Sequence, residues 1–112
     1  MEIAKRKIGK CVILDCSGTF TLGFEIRRLK DAILEASDQE VKKVILNLLD
    51  ADYIDSAGIG VLVGGHMHLS NLGIEFALLN ISKRIKRILV IAKLDKTFSV
   101  FESEDQALIG CQ

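Results

Sequence analysis

The sequence contains no tryptophan, no proline and a single tyrosine, and aromatic residues make up only 5% of its 112 residues. So few aromatic side chains argue against a stacking platform for single-stranded nucleic acid. The absence of proline excludes a proline-rich linker between domains. Fifteen basic and fifteen acidic residues give a formal net charge of zero, which argues against sequence-independent nucleic-acid binding. We therefore expect one domain over residues 1–112 that does not bind nucleic acid directly.

Long hydrophobic runs are also absent from the sequence. The basic N-terminal stretch lacks the apolar segment of a signal peptide that would follow it, and no apolar run is long enough to span a bilayer. Cys11, Cys16 and Cys111 do not have the spacing of metal ligands, and we expect reduced thiols that fill the core. These absences predict a cytoplasmic protein with no membrane insertion, no cofactor and no metal.

The residues that are present, 49% of them hydrophobic, form patterns that alternate between strand and helix. Apolar and β-branched runs predict strands at 3–7, 11–16, 44–49, 74–79 and 97–101. Apolar stripes with helical spacing predict helices at 24–37 and 56–71, a third helix capped by Ser82, and a last helix at 104–109. We expect an α/β fold with a mixed, mostly parallel sheet of about five strands, about four helices and an antiparallel N-terminal hairpin.

The most informative segment is 53–60, Tyr-Ile-Asp-Ser-Ala-Gly-Ile-Gly. It follows the predicted strand 44–49 and an acidic loop, at the edge of a parallel sheet where functional groups gather. Asp55 and Ser56 are both good N-cap residues, and the Ser56 hydroxyl is predicted to be exposed beside free backbone N–H groups. The helix that follows carries four glycines, namely Gly58, Gly60, Gly64 and Gly65. Each interior glycine costs about 1 kcal/mol relative to alanine, so packing against the sheet or a partner must hold this helix.

Other chemistries fit this segment less well. A hydrolase nucleophile at Ser56 would need a Gly-x-Ser-x-Gly turn, which is absent, and a nearby histidine. His66 lies ten residues along the same helix, roughly 15 Å away. A magnesium pocket of the receiver type could use the aspartates at 50, 52 and 55. A receiver usually has a pair of acids just after its first strand, however, and here Asp15 is alone and lies within a predicted strand. The basic cluster Lys83, Arg84, Lys86 and Arg87 is either a solvated face or a docking patch for an acidic partner or anionic lipid.

The run Asp55-Ser56-Ala57-Gly58 resembles the Asp-Ser/Thr-x-Gly signature of the STAS domain, which is typified by bacterial anti-sigma factor antagonists. The strand at 44–49, the strand-to-helix segment 79–89 and the closing segment 94–108 resemble the corresponding parts of that family, in the same order. The resemblance covers nearly the whole chain and implies a single STAS-type domain.

The resemblance implies a regulatory switch rather than an enzyme. Antagonists of this family bind an anti-sigma factor that is also a serine kinase, and this binding releases the sigma factor. Phosphorylation of the serine that matches Ser56 ends the binding, and a phosphatase restores it. We expect the partner surface to include Asp55, Ser56, Ala57 and Gly58, the helix face at Gly60 and Gly64, and the loop residues Thr19, Phe20 and Thr21. We expect a monomer.

Two alternatives come from the same resemblance. Stand-alone STAS domains also serve as subunits of ATP-binding-cassette complexes in lipid transport, without phosphorylation. Others belong to stressosomes or signalling scaffolds. The interaction partner would distinguish these alternatives from the antagonist.

Overall fold

Strands and helices alternate along the chain in the order that the sequence predicts. The computed structural model describes residues 2–20, 23–38 and 40–111. In these residues the strands are β1 (Glu2–Ile8), β2 (Cys11–Phe20), β3 (Lys43–Ile54), β4 (Glu75–Leu79) and β5 (Ser99–Phe101). The helices are α1 (Phe24–Glu35), α2 (Ser56–Asn71), α3 (Lys83–Ile91) and α4 (Glu104–Ala107).

The strands form one mixed sheet in the order β1-β2-β3-β4-β5. β1 pairs antiparallel with β2 through the turn at Gly9, whose φ of 59° suits glycine. β2, β3, β4 and β5 pair in parallel. The predicted mixed sheet with an antiparallel N-terminal hairpin is confirmed, and α1, α2 and α3 provide the crossovers that parallel strands require.

The two faces of the sheet are covered very differently. Alternate strand residues such as Leu14 and Leu46 point to the first face and form the larger core with α1, α2 and α3. Their neighbours, such as Ile13 and Ile45, point to the second face and form a smaller cluster with Ala107 and Cys111. That second face is covered by residues 102–111, which contain α4 and which we call the C-terminal segment.

Side-chain caps define three of the helix starts. Asp55 caps α2, the Ser82 hydroxyl accepts from the Ile85 N–H at 3.1 Å, and the Ser103 hydroxyl accepts from the Gln106 N–H at 3.3 Å. Gly73, with a φ of 75°, follows the end of α2. The cap predicted at Ser82 is therefore confirmed, Ser103 caps the last helix in the same way, and the glycine at residue 73 suits the end of α2.

β2 and β3 extend further than the sequence indicates. The prediction ended the second strand at residue 16 and assigned residues 50–55 to an acidic loop, and both assignments were wrong. Thr19 pairs with Tyr53 and Phe20 pairs with Ile54, after two register shifts between the strands. Apolar alternation is lost here because most of these residues are exposed or half-buried. The backbone still pairs, and the side chains of Phe20 and Ile54 are buried.

The expectation of three reduced cysteines was also wrong. Cys11, at the start of β2, forms a disulfide with Cys111, at a sequence separation of 100 residues. Cys16 is free and buried, which agrees with its predicted role in the core. Spacing along the chain cannot reveal that the C-terminal segment returns to the start of β2, because that proximity depends on tertiary packing.

Candidate partner-binding site

The N-terminus of α2 separates the roles of its first two polar residues. Asp55 is the N-cap, and its carboxylate accepts a hydrogen bond from the Gly58 N–H at 3.0 Å. The Asp55 N–H donates to the Phe20 carbonyl at 3.3 Å, which fixes the turn to the end of β2. Ser56 is the first helical residue and is exposed. Over the described residues no hydrogen bond engages its hydroxyl, so this hydroxyl is accessible and has no capping role.

Two of the α2 glycines face the protein interior. A Cβ atom at Gly58 would overlap with the side chain of Ile54, and a Cβ at Gly65 would lie 3.0 Å from Ile33 Cγ2. A side chain at Gly58 would force Ile54 to shift, and one at Gly65 would crowd Ile33, because α2 packs closely on the end of β3 and on α1. This packing holds a helix whose glycines would otherwise make it unstable.

The other two glycines face outward. A Cβ atom at Gly60 or Gly64 would have no neighbour within 4 Å among the described residues. Both glycines line a groove of about 420 Å³ between α1 and α2, together with Leu34, Val61 and His68. Packing among the described residues therefore does not explain glycine at these two positions, and the groove beside them is open.

The end of the β2–β3 pair continues this exposed surface. Thr19 is exposed and lies opposite Tyr53 in the strand register. The Tyr53 ring, which is 37% exposed, lies 5.2 Å from the Arg84 guanidinium carbon, in cation–π contact. The surface therefore runs from β2 across β3 to the start of α3. The sequence predicted Arg84 only as part of a basic cluster, since no pattern along the chain links it to Tyr53.

Comparisons with known proteins identify the family. The sequence model of the STAS domain matches residues 2–107. The chain belongs to the STAS domain family. A Thermotoga neapolitana protein provisionally named an anti-sigma factor antagonist is 35% identical over 66 residues, 59% of this chain and 58% of that protein. The anti-sigma F factor antagonist of Paenibacillus polymyxa is 26% identical over 70 residues, 62% of this chain and 60% of that protein.

The fold of this STAS domain also matches solved structures. The Bacillus cell fate determinant SpoIIAA in its phosphorylated form superimposes with a TM-score of 0.78, over 99% of this chain and 100% of that chain. The sequence identity is 18%, so this likeness concerns the fold alone. The two sequence relatives match over less than two thirds of their own lengths.

Several predicted contact residues of the STAS domain occupy other places than expected. Phe20, predicted in a surface loop, is 0% exposed and belongs to the larger core. Gly58 is buried, and a Cβ atom there would overlap with Ile54. Thr21 lies outside the described residues. Ser56, Gly60, Gly64 and Thr19 are exposed, while Asp55 and Ala57 are half-buried.

A magnesium pocket and a hydrolase nucleophile are the alternatives that the sequence raises at this segment. In the part of the chain that the structure describes, no group of three or more histidine, cysteine, aspartate or glutamate side chains could hold a metal ion. His66 packs edge-on against Phe98 with ring centroids 5.6 Å apart, as a packed histidine does. His68 is exposed on the groove.

The electrostatics of the STAS domain change sign across this surface. Asp52 and Asp55 lie four positions and one position before Ser56 in the chain. The basic residues of α3 are exposed, namely Lys83, Arg84, Lys86 and Arg87. No helix within residues 2–20, 23–38 and 40–111 combines the length and apolarity needed to cross a membrane.

Proposed function

We propose that this STAS domain is an anti-sigma factor antagonist. It binds an anti-sigma factor that has serine kinase activity, through the N-terminus of α2, and thereby releases a sigma factor in the cytoplasm. The observation that carries this proposal is the exposed Ser56 hydroxyl, which is left without a structural role because Asp55 caps the helix. The names of the two sequence relatives support the same function.

Phosphorylation of Ser56 is the proposed off-switch, and the fold should tolerate it. A phosphoserine adds about −1.5 to −2 charges at neutral pH. At the first position of α2, free backbone N–H groups and the helix dipole favour an anion. Ser56 is exposed, so the phosphate would remain in water in the unbound protein.

The same phosphate should oppose binding. In a complex it would be desolvated beside Asp52 and Asp55, and any carboxylate of the partner would repel it. A loss of about 3 kcal/mol weakens binding roughly a hundredfold. The switch therefore needs no large conformational change, and a phosphatase that removes the phosphate would restore binding.

The proposed interface extends beyond Ser56 along the exposed surface. Gly60 and Gly64 leave space for close approach of a partner to α2. Thr19 and the Tyr53–Arg84 pair lie on the strand side of Ser56. Phe20 and Gly58 support this surface from within the fold and do not contribute exposed side chains.

A phosphorylation assay with matched serine variants tests the proposal. The purified chain is incubated with ATP and a candidate anti-sigma kinase from the same host, and phosphate is located by mass spectrometry. We expect phosphate on Ser56, none on the Ser56→Ala variant, and roughly hundredfold weaker kinase binding by the Ser56→Asp variant. Ser56→Ala should unfold at the wild-type temperature because its hydroxyl makes no hydrogen bond among the described residues.

Ser82→Ala is the matched control, since Ser82 is also a serine at a helix start. It should lose the hydrogen bond to the Ile85 N–H and about 1 kcal/mol of stability, yet it should be phosphorylated like the wild type. Equal phosphorylation of Ser56→Ala and wild type would refute the role of Ser56. Recovery of transporter subunits from a host lysate, with Ser56 unmodified, would favour the lipid-transport alternative instead.

A further inference from the structure

The second face of the sheet depends on a very short piece of chain for its cover. The C-terminal segment contains α4, which has only four residues. Beneath it lie fully buried apolar side chains, including Ile13, Ile45 and Leu79, each 0% exposed. If the C-terminal segment moved away, these side chains would become accessible to water. Release of the C-terminal segment is therefore a candidate means of exposing the second face of the sheet.

The polar ties between the C-terminal segment and the rest of the protein are few among the described residues, and apolar packing adds to them. Glu104 forms an ion pair with Arg6 at 2.7 Å, with both side chains about 40% exposed, and such exposed pairs contribute little. Lys43 Nζ donates to the Ala107 carbonyl at 2.9 Å. Arg6 also binds Asp15, and this interaction lowers the pKa of the Asp15 carboxyl. Arg6 thus keeps a partner on the sheet when Glu104 leaves.

The covalent tie is the disulfide between Cys11 and Cys111. Both residues are buried, at 0% and 1% exposure, and the Cys111 carbonyl accepts a hydrogen bond from the Lys10 N–H at 2.5 Å. The disulfide joins residues 100 positions apart, and cross-links that close long loops restrict the unfolded chain strongly. Breaking this bond therefore removes the covalent restraint on the end of the C-terminal segment and leaves its hydrogen bonds and the packing of Ala107 and Leu108.

We propose that Cys11 and Cys111 form a reversible thiol–disulfide site that locks the C-terminal segment over the second face of the sheet. The oxidised state keeps the face closed, and reduction releases the segment and exposes the apolar side chains beneath it. The co-reactant is a low-molecular-weight disulfide and its thiol, such as oxidised and reduced glutathione. This inference concerns the face away from α2 and does not depend on the proposed function.

The exchange proceeds through two balanced steps. With the C-terminal segment released, the Cys111 thiolate attacks oxidised glutathione, forms a mixed disulfide and displaces one glutathione thiolate. The Cys11 thiolate then attacks the Cys111 sulfur and displaces the second glutathione thiolate. Two protein thiols become one disulfide, one molecule of oxidised glutathione becomes two reduced ones, and the two cysteine protons end on the glutathione thiols.

Cys16 provides an internal control for this site. It lies on β2 only five positions from Cys11, but its side chain points to the first face and is buried in the larger core. Burial raises the pKa of the Cys16 thiol to about 12, so little of it is the reactive thiolate. Cys16 should therefore resist alkylation in both redox states while the fold remains intact.

The test uses the purified full chain in glutathione buffers from strongly reducing to strongly oxidising. Intact mass after alkylation counts free thiols, and hydrogen exchange measures the protection of backbone N–H groups. We expect one alkylation-resistant thiol and no reactive thiol after oxidation, and two reactive thiols after reduction. Reduction should speed exchange in the C-terminal segment and at Lys10 by about tenfold or more, and should lower the unfolding temperature by roughly 10 °C or more.

Two variants complete the experiment. Cys111→Ala should show fast exchange of the C-terminal segment in every buffer, whereas Cys16→Ala should retain the redox dependence of the wild type. Three results would overturn the proposal: no disulfide in oxidising glutathione, equal protection of the C-terminal segment in both states, or loss of the whole fold on reduction as measured by circular dichroism.

Discussion

The inward and outward faces of α2 use the same residue type for different purposes. Inward, Gly58 and Gly65 allow α2 to approach Ile54 and Ile33 more closely than a side chain would permit. Outward, Gly60 and Gly64 meet nothing within 4 Å in the described part of the chain. The first pair contributes to stability by packing, whereas the second pair lowers it, since glycine costs about 1 kcal/mol in a helix interior.

One helix thus carries glycines that serve packing on its inward face and glycines without a packing role among the described residues on its outward face. A residue that reduces stability without a packing role in its own chain is a candidate for a role in binding. Substitutions at the outward glycines should therefore stabilise the protein, whereas crowding should offset or reverse that gain at the inward glycines. Three changes test that contrast, beginning with the largest expected effect.

Gly58→Val should be the most damaging of these changes. Even a single Cβ atom at this position overlaps with Ile54, which is itself 1% exposed and cannot move into solvent. Overpacking of this kind costs about 1–3 kcal/mol for added methylenes, and the branched side chain should bring the loss to about 3 kcal/mol or more. Urea unfolding monitored by circular dichroism measures the free energy of unfolding.

A second substitution at the contacting residue sharpens the test of Gly58. Ile54→Ala alone should cost about 2–5 kcal/mol because it leaves a cavity. If the two side chains compete for the same space, the double variant should lose clearly less than the sum of the single losses. Additive losses would show that Gly58 is required for another reason.

Gly65→Ala should have a smaller effect because its contact is less severe. The new methyl group would lie 3.0 Å from Ile33 Cγ2 on α1. The gain of about 1 kcal/mol in helix propensity should roughly cancel the crowding, so the free energy of unfolding should change by less than about 1 kcal/mol. In an Ile33→Ala background the crowding disappears, and the same substitution should stabilise the protein. An equal effect in both backgrounds would contradict this account.

The sequence predicted the order of the strands and helices and their caps, but it did not predict how far β2 and β3 extend. Both results have physical reasons. Apolar periodicity identifies α1 because one side of it is buried, and a continuous apolar run identifies the central part of β3 because both of its faces are buried. The end of β3 lacks that pattern because its residues are mostly exposed, so pairing with β2 could not be inferred. Backbone pairing leaves little trace in a sequence when neither face of the strands is covered.

The candidate site was predictable only in part, for the same reason. Ser56 was predicted as a site residue from its position at a helix start and from the resemblance to the STAS signature. In the structure this residue is exposed. Phe20 was misassigned because a phenylalanine beside glycine and threonine indicates a loop until its burial is known. The Tyr53–Arg84 contact and the Cys11–Cys111 disulfide join residues that are far apart in sequence, and nothing in their local patterns connects them.

Gly64→Ala should have the smallest effect on stability and the opposite sign. The added methyl group meets no described atom within 4 Å and improves helix propensity, so the protein should gain about 0.5–1 kcal/mol. If the partner packs closely against α2, the same methyl group should weaken kinase binding. Ser70→Ala, on an exposed position near the end of the same helix, is the control that should leave binding unchanged. A more stable Gly64→Ala protein with wild-type affinity, measured by calorimetry, would place the interface elsewhere on α2. A more stable protein with reduced affinity would show that the outward glycines serve binding at the expense of folding.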